Sequence, residues 1–488
     1  MALNNSNYGD EASPYRLNSA ILTSEKLGDV KYNISSCVTD VNIYEDINKP
    51  FLTGKIIISD FNNVIHDMVF TGEETIELSF EKIGKNTQEI KKVFYLDHII
   101  SSKKISNNSV EVYAFHMVED VEFESNLINV NKYYEGKPSE IITNIISDYM
   151  PKRKFFAVNP DDESQETLKV VIPNLNPIEA ITWVTKKAYS VDGLPYFLFS
   201  SFAGPNVIYY INLSTLLKQK QINFGNPFTF WQSGIQKNTQ ESLADVESTI
   251  VPNRYQILEY KDRNNEDLRY LISEGFIGSS HRFIDVINGE EQKVDFSVSK
   301  TLLRLSELGV LTKNYPLYTY SPAAQADKKL LSEIESKRIY NYPSTKPYEL
   351  GFSNSTSMVE ENNNGNYAQK VNSFAILNLL YKRKIQVTLK GINFIHDDIN
   401  RSVGNLIEVE FLKLVEEKHH IDKRLSGKQL VTNVVHMFKT DEYTVNMDLC
   451  KLETTLPSNL RVSSSGGQEA QPYIDTLTAL GDYGKVLG

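Results

Sequence analysis

The chain has 488 residues, of which 41% are hydrophobic and 23% charged, with a formal net charge of −11 and two cysteines. Such a length exceeds one ordinary core, the acidic balance speaks against a protein that wraps nucleic acid on a basic stripe, and Cys37 and Cys450 are too few for a disulfide scaffold and read as buried thiols. No run approaches the roughly 20 apolar residues of a membrane span, and the opening MALNNSNYGDEASPYR lacks the basic head and apolar core of a signal peptide.

Residues 1–29 read as a weakly structured N-terminal arm. Residues 30–119 contain strand patterns at Tyr32–Tyr44, Phe51–Phe61, Thr75–Ile83, Val93–Ile105 and Val110–Val118, with turn residues such as Asn48-Lys49-Pro50 and Ser106-Asn107-Asn108 between them. So many short strands in so short a stretch predict an all-β domain of sandwich or barrel type, taken here as a first small β-barrel, and the β-branched run Ile56-Ile57-Ile58 marks a buried central strand.

Past Asp120 the period changes. Ile141, Ile142, Ile145, Ile146 and Tyr149 recur at helical spacing behind Pro138, and Pro151 stops the helix. A second helix starts at Asn176 as N-cap, with Pro177 at N1 and Glu179 at N3, the spacing of a capping box. A hairpin follows at Pro195–Ser201 and Asn206–Leu213, so residues 120–220 read as an inserted α+β domain. Residues 221–365 read as a second insertion-like mixed domain. It has an extended run near Ile250–Tyr260, a long helix discouraged by Gly275 and Gly278, a strand and short helix in Gln292–Leu308, and a helical pattern in Lys328–Tyr340.

Residues 366–457 read as a helix followed by a second antiparallel β-barrel. The helix runs to Lys382, with Val371, Phe374, Ala375 and Leu379 on one face. In the last strand Tyr443, Val445, Met447 and Leu449 alternate with Thr444, Asn446, Asp448 and Cys450. Residues 458–488 are rich in Ser, Gly and Gln and read as a flexible tail, with a docking peptide around Tyr473–Leu480. The fold class is therefore a β-rich multidomain α+β chain, two small barrels bracketing inserted domains.

No dinucleotide fingerprint, phosphate loop or nucleophile elbow is present. His419-His420 would point to opposite faces of a strand, and His396-Asp397-Asp398 lacks further ligands nearby. His66, His98, His116 and His436 stand singly and read as structural histidines. Nothing fixes the separation of the carboxylates in Asp161-Asp162 or Glu416-Glu417. The basic runs Pro151–Lys154 and Lys382–Lys384 read as solvated faces. No catalytic residue, cofactor site or metal site is assigned from the sequence, and no enzymatic activity is expected. The 27 tyrosines and 23 phenylalanines suit interfaces and strands alike.

Over roughly 30–220 and 365–457, the sequence resembles the central baseplate hub protein of contractile-tailed bacteriophages. The resemblance rests on Val38–Phe80, Tyr134–Ile146, Gly391–Val409 and Lys428–Pro457. It implies a non-catalytic homotrimer whose two barrels per chain alternate around a ring joining a six-fold tail tube to a three-fold central spike. It also implies contacts with baseplate wedge and tape-measure proteins, a channel through which DNA passes without specific binding, no cofactor, and a location in the virion tail baseplate after assembly in the host cytoplasm. The alternatives are a hub or spike component of a contractile secretion or toxin-delivery particle, a non-viral β-rich binding module, a cell-wall hydrolase and a receptor-binding fibre.

Overall fold

The computed structural model describes residues 15–24, 31–61, 63–68, 70–82, 89–104, 110–159, 162–163, 167–223, 225–230, 255–263, 268–285, 290–311, 319–320, 329–341, 367–392, 394–396, 399–415, 418–422, 424–439 and 442–452. One sheet gathers 14 strands from both ends of the chain. From the N-terminal side come β1 (Tyr15–Thr23), β2 (Lys31–Asn33), β3 (Val38–Asp46), β4 (Thr53–Asp60), β5 (Thr75–Lys82), β6 (Glu89–Lys104) and β7 (Glu111–Glu119). The rest are β8 (Phe228–Phe230), β9 (Ile257–Asp262), β10 (Lys384–Lys390), β11 (Leu406–Val415), β12 (Lys418–Ile421), β13 (Gly427–Lys439) and β14 (Glu442–Cys450).

The neighbour order is β9-β10-β14-β13-β3-β4-β7-β6-β5-β1-β2, and β11 joins it at β13, bringing β8 and β12 with it. Period-two patterning decides which residues face the core. On β3 the inward row is Val41, Ile43 and Glu45; on β13 it continues through Val434, His436 and Phe438; on β14 it is Tyr443, Val445, Met447 and Leu449. In the last hairpin, β13–β14, Lys439 pairs with Glu442.

The sequence predicts two barrels, and the structure corrects this. Both edges of β3 are occupied, one by β4 and the other by Asn433–Lys439 of β13, so β3 has no edge left with which to close the N-terminal strands on themselves. Strand β13 is long enough to change partner. Its Gly427–Leu430 pairs β11, and beyond a bulge at Thr432 the remainder pairs β3. The bulge is held by Ile47, whose amide donates to the Thr432 carbonyl at 2.9 Å. Among the described residues no strand ladder closes a ring; an isolated bridge from Thr229 to Gln256 links β8 to the start of β9. The class is β-rich α+β, but the sheet is open.

Tyr15–Thr23 lies in the stretch expected to be a weakly structured arm, yet it forms a strand on β5, with Tyr15 buried. The two helices of the insert follow the sequence closely. Helix Pro138–Tyr149 buries Ile141, Ile142, Ile145 and Ile146. Helix Pro177–Thr185 has the expected capping box: Asn176 Oδ1 accepts from the Glu179 amide at 2.8 Å, and the Glu179 carboxylate accepts from the Asn176 amide at 3.4 Å. Both helices pack with the strands Tyr196–Phe199 and Val207–Asn212 around a separate apolar cluster that includes Val170, Ile181 and Tyr210.

Helix Tyr367–Lys382 buries Val371, Ala375, Ile376, Leu379 and Leu380 in the main core, but Phe374, assigned by spacing to the same face, is exposed. Lys328–Tyr340, expected to be helical, instead supplies the strands Lys329–Leu330 and Lys337–Asn341 around a single 3₁₀ turn. The C-terminal tail and its docking peptide lie outside the described residues. Both cysteines are free: Cys450 is buried, which pushes its thiol up to about 11, and Cys37 is half-buried.

Gly404 fixes how the insert meets the second β lobe. Its φ is +74°, and a Cβ there would stand 2.7 Å from Phe199 Cζ. Gly404→Ala should lower stability by about 1–3 kcal/mol, read as a lower urea midpoint. An unchanged midpoint would remove this contact as a constraint.

Candidate functional site

Three charged side chains lie in inward rows where alternation would ordinarily place apolar residues, and each ties the inserted α+β unit to the sheet. The first is Glu45 on β3. Its Oε1 accepts from the Phe202 amide at 2.7 Å, Ser402 Oγ at 2.5 Å and His436 Nε2 at 2.8 Å. Its Oε2 accepts from the Val403 amide at 3.1 Å and Ser201 Oγ at 3.3 Å. His436 reaches it diagonally across the β3–β13 pair, where Glu45 is opposite Val434. The other imidazole nitrogen of His436 shares a 2.8 Å hydrogen bond with the Tyr443 hydroxyl.

Glu45 and His436 are both completely buried. Burial opposes the Glu45 charge, but the hydrogen bond and attraction of His436, with the Ser402 and Phe202 donors, hold the carboxyl below the usual carboxylate range. Aromatic rings seal the site. Phe202 lies 4.6 Å from the His436 ring and 5.0 Å from Phe80, and Tyr15 meets Tyr443 edge-on at 5.6 Å.

The second tie is Lys92, in the inward row Ile90, Lys92, Phe94 and Leu96 of β6. Its Nζ donates to the carbonyls of Ser201 and Gly204 and to Asn206 Oδ1, each at 3.2 Å. Burial pushes the Lys92 ammonium down against the pull of Glu119. The third is Glu119 at the end of β7, which accepts from Arg153 Nη1 at 2.8 Å and from the Leu52 amide at 2.8 Å. Arg153 also donates to Asp120. Arg153 was expected on a solvated basic face; it is buried, and it holds the turn after helix Pro138–Tyr149 against β7. These groups are paired with one another or with backbone, so they hold parts together rather than present reactive atoms.

Among the described residues, β6 presents an uncovered strand edge on the outward surface. Strand β5 pairs only Glu89–Tyr95 of β6, while β7 pairs β6 as far as Lys104. Over Asp97–Lys104 the other edge of β6 has no strand partner among the described residues, and every residue there is exposed, including Ile99 and Ile100. An uncovered edge can take another strand, and here the breaks in register at Asp97 and Ile100 and the terminal Lys103 and Lys104 limit the length of strand that could pair.

Of the histidines singled out in the sequence, His436 is the buried ligand of Glu45. His66 is exposed, 3.8 Å from Glu111. His98 and His116 are brought together around Asp97, which sequence reasoning missed. On β12, His419 pairs with Leu414 and His420 with Lys413 in regular register. Asp161, Asp397, Asp398, Glu416 and Glu417 lie outside the described residues. Among the described residues no helix is long and apolar enough to cross a membrane.

No protein-family model matches the sequence, and no curated protein matches it. Solved structures do match over most of the chain. A tail protein from Neisseria meningitidis MC58 is 10% identical, with a TM-score of 0.45 over 90% of this chain and 96% of its own. The 43 kDa tail protein of prophage MuSo2 from Shewanella oneidensis is 8% identical, with a TM-score of 0.48 over 88% of this chain and 98% of its own. An E. coli component of the type VI secretion system, itself similar in structure to T4 bacteriophage tail proteins, is 8% identical, with a TM-score of 0.34 over 91% and 79%. At such identities and TM-scores these likenesses carry no argument about activity or partners.

The Glu45 tie has a pH signature. Because its folded pKa is below the ordinary 4.5, its contribution is fully present above that value and is lost as pH falls through the folded pKa. Glu45→Gln should cost about 3–5 kcal/mol at neutral pH by leaving converging donors poorly matched. It should also remove part of the wild-type loss of stability below 4.5, as measured by urea unfolding at several pH values. Equal stability of the two proteins at neutral pH would show that the tie is dispensable.

Proposed function

We propose that this chain is a structural subunit of a phage tail baseplate hub. Three copies form a ring that joins a six-fold tail tube to a three-fold central spike in the virion, with tape-measure protein and DNA passing through the centre. The observation that carries the reading is the exposed β6 edge from Asp97 to Lys104, with Ile99 and Ile100 outward. The chain already joins its N- and C-terminal β lobes edge to edge through β3 and β13. A neighbouring copy adding a strand to β6 would extend the same construction between subunits, and a closed cyclic assembly satisfies every such edge.

On this reading residues 30–119 and 366–457 build the ring, and 120–220 and 221–365 decorate it. The net charge of −11 suits a wall past which DNA slides without sticking. The subunit turns over no substrate: its buried charges are ties that keep the lobes in register while the particle transmits force. Spike, tube and wedge proteins are its expected partners.

Mass measurement by light scattering after size exclusion, with and without a candidate spike protein, tests the reading. The expected species is three times 55.6 kDa, formed alone or on adding the spike protein. The double substitution Ile99→Lys/Ile100→Lys should leave the fold intact and shift the population to monomer, since edge charges block strand addition. A monomeric wild-type protein under both conditions would overturn it.

A further inference from the structure

A bulge in β6 assembles a set of metal donors that strand alternation alone would scatter. The β6–β7 register steps from Leu96–Met117 directly to His98–His116, so Asp97 is the extra residue and two residues of β6 face one of β7. Neighbours that would point to opposite faces of a regular strand therefore converge. Asp97 Oδ2 lies 2.7 Å from His98 Nδ1 and 3.1 Å from His116 Nδ1. All three donor atoms lie within 4.8 Å of one another, and the two imidazole rings are 4.9 Å apart with 25° between their planes.

We propose that Asp97, His98 and His116 form a surface site for a first-row divalent transition-metal ion. Donors at metal bonds of about 2.0–2.2 Å sit roughly 3.3 Å apart around a tetrahedron, a spacing these side chains reach by small rotations. Two imidazoles and a carboxylate suit zinc, nickel, cobalt or iron rather than the all-oxygen shells of calcium or magnesium. The donors are partly open to solvent, with side-chain exposures of 46% for Asp97, 58% for His98 and 32% for His116. Three ligands therefore leave coordination positions for water.

The backbone already fixes the ligands. His98 and His116 are directly opposed on adjacent strands, and the Asp97 carbonyl packs beside Gly72, where an added Cβ would lie 3.3 Å away. Lys55 of β4 is directly opposite His116 of β7 in the sheet register. The two hydrogen bonds on one exposed carboxylate contribute little to folding by themselves, so stability alone gives no reason for this trio. All three ligands come from one chain, so the site needs no neighbour, but Asp97 and His98 also begin the β6 edge on which the hub reading rests.

Zinc titrated into the full-length chain by calorimetry, with cobalt absorption as a second probe of coordination geometry, tests the site. The expected result is one saturable zinc per chain, weakened about 10-fold or more by His116→Ala, and likewise by His98→Ala and Asp97→Asn. His419→Ala/His420→Ala should bind as the wild type does, and circular dichroism should show all variants folded, since the three ligands are not core residues. No saturable zinc binding to the folded wild-type chain would overturn the proposal. Binding that survives substitution at residues 97, 98 and 116, or that is lost with residues 419 and 420, would also overturn it.

Discussion

Moving a carboxylate out of water costs several kcal/mol, and Glu45 bears that cost at the point where three parts of the chain meet. The donors around it come from the insert (Ser201 and Phe202), from the segment before β11 (Ser402 and Val403) and from β13 (His436). A buried charge with that many fixed partners accepts one arrangement of its surroundings. If the insert shifts, the carboxylate loses Phe202 and Ser201; if β13 slips by one residue, His436 turns to the other face. The register of the β3–β13 junction and the seating of the insert are thus a single constraint. The aromatic shell of Tyr15, Phe80, Phe202, Phe438 and Tyr443 keeps water from relaxing it.

That junction also decides the architecture of the sheet. Pairing β3 with β13 uses the edge that an isolated N-terminal barrel would need for closure, so the chain gives up local closure for a continuous sheet built from both ends. Lys92 and the Arg153–Glu119–Asp120 group then hold the insert against β6 and β7. The outer half of β6 extends past this braced region with one edge uncovered.

Much of the local structure was legible in the sequence. The period-two row of β14, the capping box at Asn176 and the isoleucine stripe of helix Pro138–Tyr149 all depend on residues close together in the chain, and each formed where its pattern indicated. Edge choice was not legible. Alternation says which face of β3 is buried but not whether its second edge goes to its own lobe or to β13, whose His436 is 391 positions from Glu45. Pairing with the strand Gly278–Asp285 likewise overrode the helical spacing of Leu331, Ile334 and Ile339 by drawing Lys337–Asn341 into a sheet.

The site residues divide in the same way. Glu45 and His436 each stand in the inward row of a readable strand, so a polar residue at a core position was the available signal; what the sequence withheld was that the two rows meet. Asp97 and His98 were hidden by the alternation rule itself, because a one-residue bulge suspends it at that position. Arg153 sits in a basic run that looks solvated until Glu119 and Asp120 are brought beside it by the fold.

The central claim is that the outer edge of β6 is completed by another copy of the chain. Amide hydrogen exchange followed by mass spectrometry, on dilute and on concentrated protein, tests it most directly. The account predicts that the peptide spanning Asp97–Lys104 gains protection in the assembled state while the buried strands β3 and β13 exchange equally slowly in both. Assembly that leaves Asp97–Lys104 as open to exchange as in the dilute chain would contradict it.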